Sequence, residues 1–519
     1  MIYVYIKKEL AKFETDIRDL CLAFFTLQKI KYIIEDEEAS SMLKDNELSE
    51  PNIIVKDYYI GPLTGDRLTI KSEVKRQLYK YLSKLTGKTL LWGTLTGIRP
   101  VNIATNLKKN LNLVTGYIIG EKGTLYKNSK IENELIKNEL KKEYYISDEK
   151  ANELIEIAEN EIKILDREEV KNYKNTYSIY VGVPFCKSTC LYCSFTSFNI
   201  EKFSKYVDTY FESLEKDFST RIEKMGECEN KGCPQISNNI PRPLFQMLKP
   251  LTLYIGGGTP TSLNEVQFDR LLNIVDKYVD KKNLIEYTVE AGRADTITKE
   301  KLLIMKKHGV TRISINPQSF NQKTLDLIGR KHTVYDVIEK FYLARSLGFD
   351  NINMDIILGL PNEHLFDVLK TLNGIRKLKP DSFTVHSLAL KRAARLNFEL
   401  DSWTKNYYLA GLNNDKPEGK REIDKMFLWS KRLAKYLHLK PYYLYRQNNI
   451  AGNLENVGYA KLGKECIYNI MMMSERHTVY GFGTATTKKV FYENDGSIRI
   501  ESEEGYKSVI DYCKSFDNI

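Results

Sequence analysis

Between residues 177 and about 390 the chain alternates two patterns. Short runs rich in β-branched and aromatic residues recur: YSIYVGV (177–183), LTLYIGG (251–257), IEYTVEA (285–291), VTRISIN (310–316), NINMDII (351–357) and SFTVHSL (382–388). Between them lie stretches of helical periodicity, such as EVQFDRLLNIVDKYV (265–279) and DVIEKFYLARSLG (336–348). Nearly continuous apolar strands alternating with amphipathic helices indicate parallel βα units. Six such units predict an α/β barrel or partial barrel, with its chemistry where strands end and βα loops begin. Three cysteines follow the first strand, Gly256–Pro260 follow the second, and Glu290 ends the third.

The flanks have a different rhythm. Residues 1–147 read as an α+β accessory domain, with strands at IYVYI (2–6) and NIIVKDYYI (52–60) and an amphipathic helix over 73–86. In LLWGTLTGIRPVNIA (90–104), Gly93, Gly97 and Pro100 break regular structure, which predicts an ordered loop. Its expected role is docking onto the next domain; substrate contact is the alternative. A charged helical pattern over 148–170, capped near Ser147 and Asp148, predicts a connector helix. The barrel would then occupy 171–390, interrupted at 224–248 by a turn-rich insertion. That insertion holds Cys228 and Cys233, with no second pair or neighbouring His to complete a zinc set, so it reads as an unliganded surface loop. Residues 391–519 are aromatic and irregular, as in PYYLYRQNN (441–449) and VYGFGTATT (479–487), and predict a cap covering the substrate at the barrel mouth.

Composition narrows the class. A chain of 519 residues fits about three domains, or one large barrel with additions. Eight cysteines are too sparse for a disulfide scaffold, and the N-terminus lacks the form of a signal peptide. The apolar run CLAFFTL (21–27) is far short of a membrane span. A soluble, reduced, cytoplasmic protein without a membrane span is expected. The net charge of +10 fits a lysine-rich solvated surface or attraction to an anion. The 34 tyrosines form no basic-aromatic repeat of a nucleic-acid module, so no nucleic-acid partner is expected.

Residues 184–195 read PFCKSTCLYCSF, placing Cys186, Cys190 and Cys193 within eight positions. A structural zinc site normally takes four Cys or His ligands, and here there are three cysteines and no histidine. A cubane [4Fe–4S] cluster used only for electron transfer takes four cysteines. Three leave one iron open to bind a substrate, as a catalytic metal keeps an unfilled position. The spacing Cys-x3-Cys-x2-Cys resembles the signature of the radical S-adenosylmethionine (SAM) superfamily. The resemblance implies a [4Fe–4S] cluster on these cysteines, SAM on the open iron, and reductive cleavage to a 5′-deoxyadenosyl radical. It also implies a fold: a partial (β/α)6 TIM-like barrel with the N-terminal α+β domain and C-terminal cap described above.

Within that superfamily, YVGVPFCKSTCLYCSF (180–195) resembles the oxygen-independent coproporphyrinogen III oxidase group. The likeness runs from about 177 to 390, and more loosely to 490. It implies that Tyr180 and Glu290 lie at the reacting centre and bind the first SAM. Gly257, Gly258 and Thr259 of GGGTPT would let the backbone approach the SAM methionine moiety. Tyr192, Gln318 in NPQSF, Arg330 in IGRKH, Asp355 in MDIILGLP and Ala389 after VHSL match the rest of a two-SAM site. The layout of WGTLTGIRP (92–100), LYCSFTSF and ERHTVYGFG resembles the HemZ-type subgroup, the coproporphyrinogen dehydrogenases.

Two departures stand out. Phe195 replaces a cysteine of the well-characterised oxidases, and KECIYNIMMM (464–473) lacks the histidine of the HN-x-x-YW motif in the haem-chaperone branch. The resemblance implies oxidative decarboxylation of coproporphyrinogen III to protoporphyrinogen IX, in haem biosynthesis. The alternatives are a haem-binding chaperone and a radical SAM methyltransferase acting on a tetrapyrrole. A reducing partner such as flavodoxin or ferredoxin is expected. Arg99, Lys391, Arg392 and Arg446 are candidates to bind substrate carboxylates, where arginine can pair bidentately.

Overall fold

The N-terminal run IYVYIK forms β1 (Ile2–Lys7), as its alternation predicts. It centres a parallel sheet with β2 (Ile30–Glu35) and β3 (Ile53–Val55), in the order β2-β1-β3. Ile2, Val4 and Ile6 are buried in one core with Ile17, Leu20 and Phe24 of helix Glu14–Phe24 and Val74, Leu78 and Leu82 of helix Arg67–Thr86. The second helix starts where the Asp66 carboxylate accepts from the Leu68 and Thr69 amides, and it stops at Gly87, with φ of 67°. The strand expected over 52–60 is shorter, because Asp57 takes a φ of 53° and ends the extended run. A hairpin of β4 (Tyr117–Ile119) and β5 (Leu125–Lys127) follows. The structure is a computed structural model. It describes residues 2–25, 30–35, 53–59, 66–97, 99–111, 117–119, 125–127, 129–227, 249–391, 394–399, 421–447, 450–475, 477–494 and 497–516. Cys228, Cys233, Arg392 and most of the 224–248 insertion lie outside the described residues.

The chain divides into two units, and the division is not a simple cut. The first takes Met1–Glu159, Leu400–Lys425 and Leu444–Glu455; the second takes Asn160–Glu399, Met426–Tyr443 and Asn456–Ile519. Helix Asp148–Leu165 carries the chain from one to the other, with Ser147 Oγ accepting from the Lys150 amide at its start. The 90–104 segment turns at 91–94 but becomes helical at Val101, sooner than expected, because Pro100 presets the backbone for a helix start. Gly93 has a φ of 52°, and a Cβ there would lie 1.9 Å from Tyr144 O. The partners of this loop lie in its own unit. Trp92 Nε1 donates to Glu455 Oε2 at 2.9 Å, and the Arg446 guanidinium sits 4.9 Å from the Trp92 ring centroid. Arg446 also donates to Leu95 O and, at 2.6 Å, to Asn453 Oδ1. A buried guanidinium so engaged is a lock on the loop, which removes Arg446 from the substrate-binding candidates.

The second unit holds the six predicted parallel strands. They are β6 (Thr176–Val183), β9 (Lys249–Gly257), β10 (Glu286–Glu290), β11 (Arg312–Ser314), β12 (Ile352–Leu358) and β13 (Ser382–Ser387). Each pairs in parallel with the next. A small ladder of β7 (Phe185–Cys186) and β8 (Phe198–Asn199) closes the first βα loop. Helices Val207–Glu227, Glu265–Tyr278, Lys299–Lys307, Val334–Ser346 and Leu365–Leu378 make the five crossovers. Asn264 with Gln267 and Thr333 with Asp336 form capping boxes at two of their starts. This is the partial (β/α)6 barrel that the apolar runs predict.

The region beyond 390 corrects the expectation of irregular structure. It supplies β14 (Lys440–Tyr445), β15 (Asn456–Ala460), β16 (Thr478–Gly483), β17 (Thr487–Asn494) and β18 (Ser497–Glu504). These flank the barrel strands in the order β14-β15-β13-β12-β11-β10-β9-β6-β16-β17-β18. Every residue of TVYGFG in β16 is buried beside β6, which is why its aromatic and glycine content suits a strand. Between β15 and β16, helix Ile467–Ser474 has its N-terminus held by Glu286, which accepts from the Ile467 amide at 2.6 Å and the Tyr468 amide at 3.3 Å. No helix of the described residues is long and apolar enough to cross a membrane.

Candidate functional site

Register places the site residues in rows across the barrel sheet. Tyr180 of β6 opposes Tyr254 of β9, which opposes Thr288 of β10, which opposes Arg312 of β11. One step nearer the strand ends, Gly182 opposes Gly256, and Glu290 opposes Ser314. Asp355 of β12 and His386 of β13 reach the same area, 3.7 Å apart. The strand ends therefore gather chemistry from six consecutive strands of the sheet, as the barrel reading predicts.

The cysteine loop leaves β6 through Pro184 and is pinned from several directions. Phe198 N donates to Pro184 O at 2.7 Å, Leu191 N to Ile328 O at 2.9 Å, and Leu396 N to Leu191 O at 2.8 Å. Cys186 and Cys190 are buried and Cys193 is partly exposed. Cys186 Sγ lies 3.4 Å from Thr259 Oγ1. Burial and the neighbouring Cys190 push the Cys193 thiol up to about 12, and burial also raises Cys186. Without a metal these thiols hold their protons; metal binding would displace them. Among the described residues no three His, Cys, Asp or Glu side chains meet at a single ion position. A cluster asks for less convergence than one ion, because each thiolate meets its own iron.

The glycine run has a structural cause that the sequence does not display. Gly257 has φ of 101°, and a Cβ on Gly258 would lie 2.5 Å from Phe185 O. Their absent side chains let Gly258 N donate to Val183 O at 2.7 Å and Thr259 N to Phe185 O at 2.8 Å. This seats Thr259 beside the first cysteine. At Gly256 a Cβ would crowd the Tyr254 ring and the Glu290 carboxylate, 2.9 and 3.2 Å away.

Glu290 accepts from Tyr254 Oη at 2.6 Å. Burial, and then the nearby Asp355 carboxylate, push the Glu290 carboxyl up to about 7, against the opposing pull of that hydrogen bond and of Arg312 and His386. For Asp355 burial acts upward too, but His386, Asn353 and Thr384 outweigh it and hold the carboxyl below its usual range. Tyr254 stacks on Tyr180 with centroids 5.8 Å apart, and Tyr468 packs on both rings at 4.7 and 5.9 Å. Gln318 is buried with a φ of 62°, and its Oε1 meets no donor among the described residues. A non-glycine residue in that region marks stored strain of the kind found at ligand sites. Arg330 is buried and donates to Asn316 O at 2.6 Å and Gly292 O at 3.0 Å, leaving Nε without a partner among the described residues. Its charge acts on Tyr192 and Cys190. Ala389 follows β13, half-buried, and Lys391 lies two residues further on.

Tyr254, Tyr468 and Arg293 are additions that sequence reasoning missed. Tyr468 lies in KECIYNIMMM, where nothing but an aromatic in an apolar helix marks it. Arg99 belongs to the first unit.

Residues 244–374 match the model of the Radical SAM superfamily. The oxygen-independent coproporphyrinogen-III oxidase-like protein HemZ of Bacillus subtilis is 38% identical over 444 residues, which is 85% of this chain and 78% of that protein. The heme chaperone HemW of the same organism is 34% identical over 215 residues, covering 41% of this chain and 51% of HemW. Among solved structures, coproporphyrinogen III oxidase (HemN) from Escherichia coli, a radical SAM enzyme, aligns over 66% of this chain and 70% of its own at 19% identity, with a TM-score of 0.48. With a cysteine triad on the first βα loop of such a barrel and a HemZ relative along most of its length, the chain belongs to the radical SAM superfamily and, within it, to the HemZ-type family of coproporphyrinogen-III oxidase-like proteins.

Proposed function

We propose that the chain is an oxygen-independent oxidoreductase of porphyrin biosynthesis that converts coproporphyrinogen III to protoporphyrinogen IX. The observation that carries this reading is the assembly at one end of the barrel: three cysteines on the first βα loop, with Tyr180, Glu290, Gln318, Arg330 and Asp355 on or just after the neighbouring strands. Superfamily membership implies a [4Fe–4S] cluster and SAM, and the residues fit them. Among the described residues Gln318 Oε1, Arg330 Nε and Arg293 Nη2 are buried without partners, and each such atom costs about 1–3 kcal/mol unless another group satisfies it. When bound, the cluster and SAM would supply a 5′-deoxyadenosyl radical able to take a hydrogen atom from an unactivated carbon.

The chain's own residues divide the remaining work. Cys186, Cys190 and Cys193 hold the cluster. Glu290, fixed by Tyr254, binds the ammonium group of the first SAM in its ionised form, with Tyr180 and the Gly257–Thr259 backbone alongside. Tyr192, Gln318, Arg330, Asp355 and Ala389 bind a second SAM. Lys391 remains a candidate for a substrate carboxylate, and a protein reductant such as flavodoxin or ferredoxin would be the electron source. Each of two propionates loses a β-hydrogen atom, then CO2 and one electron to an external acceptor, leaving a vinyl group.

The test is anaerobic incubation of reconstituted protein with SAM, reductant and coproporphyrinogen III, read by mass spectrometry. The product should be lighter by two carboxyl groups and two hydrogen atoms. A substrate heavier by a methyl group would instead identify a methyltransferase. Haem bound stoichiometrically and unchanged, with no new porphyrin product, would identify a chaperone like the HemW relatives.

A further inference from the structure

Arg293 lies three residues beyond Glu290, in the loop leaving β10, and its side chain is 2% exposed. Nη1 donates to Ser188 O at 2.9 Å and to Cys190 Sγ at 3.5 Å. Nε reaches Asp295 Oδ1 at 3.4 Å. Asp295 is flanked in turn by Lys187 Nζ at 3.5 Å and by the buried His332 Nδ1 at 3.8 Å. The guanidinium is thus held on one side by a carboxylate and applied on the other to the middle cysteine of the triad. Among the described residues its Nη2 has no partner. Because Nη1 and Nη2 share one carbon, an anionic group gathered around Cys190 comes within reach of both.

We propose that Arg293 raises the reduction potential of the iron–sulfur cluster by donating to the Cys190 sulfur. The inference rests on the cluster reading above. Reduction adds negative charge, and a cation with N–H groups on a ligating sulfur favours the state that carries more of it. Arg293 is a positioning residue, since it acts through Cys190. The rival role is mechanical: through Ser188 O it would only clamp the loop. Potential separates the two, because a clamp has no reason to move it once the cluster is loaded.

The experiment is a mediated redox titration of the full chain, reconstituted anaerobically and followed by electron paramagnetic resonance, with iron and sulfide counted per chain. Wild type, Arg293→Gln and Arg293→Met are compared. Removing one charge-assisted hydrogen bond to a group that changes charge corresponds to about a tenfold fall in the reduced-to-oxidised ratio at fixed potential. For a one-electron couple that is a midpoint about 59 mV more negative. Both variants should load iron as wild type does and show this shift. Variants that load fully with an unchanged midpoint overturn the inference and leave the cluster reading intact. Failure of both variants to load, where wild type loads, also overturns it in favour of the clamp. A wild type that loads no cluster overturns both readings.

Discussion

Replacing Tyr254 by Phe removes one oxygen and the 2.6 Å hydrogen bond it donates to Glu290. The ring stack on Tyr180 and Tyr468 can stay as it is. A hydrogen bond to a charged acceptor contributes about 1.5–3 kcal/mol, and about 1.36 kcal/mol corresponds to one pKa unit. The lower figure applies here, because part of the Glu290 surface remains open to solvent. The carboxyl, already at about 7, should therefore rise by about one unit. Near pH 7.5 its ionised fraction would fall from about three quarters to about one quarter. If the ionised form binds SAM, affinity falls about threefold there and recovers about two units higher, where wild type and variant are both ionised. The other charged or titratable groups around Glu290 are Arg312, Asp355, His386, Tyr180 and Tyr468, and both proteins share them. Equilibrium dialysis of SAM against cluster-loaded protein, across pH, reads this directly. A Tyr254→Phe curve lowered by the same factor at every pH, or one that overlays wild type, refutes the reasoning.

Lys150, 2% exposed, pairs with Glu153 at 2.9 Å and with Glu455 in the first unit. Lys150→Met leaves two buried carboxylates facing each other and should destabilise the protein by about 3–5 kcal/mol, read as a lower denaturant midpoint; a loss below about 1 kcal/mol contradicts the pairing. Glu290, raised from 4.5 to about 7, carries no penalty below the unfolded value, where both states are protonated. The penalty grows as pH rises and is complete above about 7, so Glu290→Gln should stabilise by about 1–2 kcal/mol more near pH 8 than near pH 4.5. A thermal shift of equal size at both pH values would show that Glu290 is not a raised carboxyl.

The barrel was legible because buried parallel strands need apolar residues on both faces, so runs such as LTLYIGG and NINMDII stand out without an alternating partner pattern. The positions of the cysteines, the glycine run and Glu290 at strand ends were legible for the same reason. The C-terminal strands were not. PYYLY lies at the sheet edge beside nearby β15, but TVYGFG is sorted by neighbours far along the chain, and β16 finds its place beside β6 across about three hundred residues. Arg446 read as a candidate for substrate carboxylates and is a buried lock, since only the fold brings Trp92 beside it. Tyr254 was visible as a strand residue, but its bond to Glu290 depends on a register set by the whole sheet. Arg293 follows the expected glutamate closely in sequence. Its value lies in reaching Cys190, more than a hundred residues earlier.

The central claim is that Cys186, Cys190 and Cys193 hold a cluster that cleaves SAM. The most direct measurement is 5′-deoxyadenosine formed by anaerobically reconstituted protein with SAM and reductant, alongside iron and sulfide content. Wild type should bind about four irons per chain and form deoxyadenosine. Alanine at any of the three cysteines should abolish both, while alanine at Cys21, Cys466 or Cys513, which lie outside the triad loop, should leave both intact. A wild-type protein that binds one zinc and no iron, or a Cys190→Ala variant that forms deoxyadenosine at the wild-type rate, would contradict it.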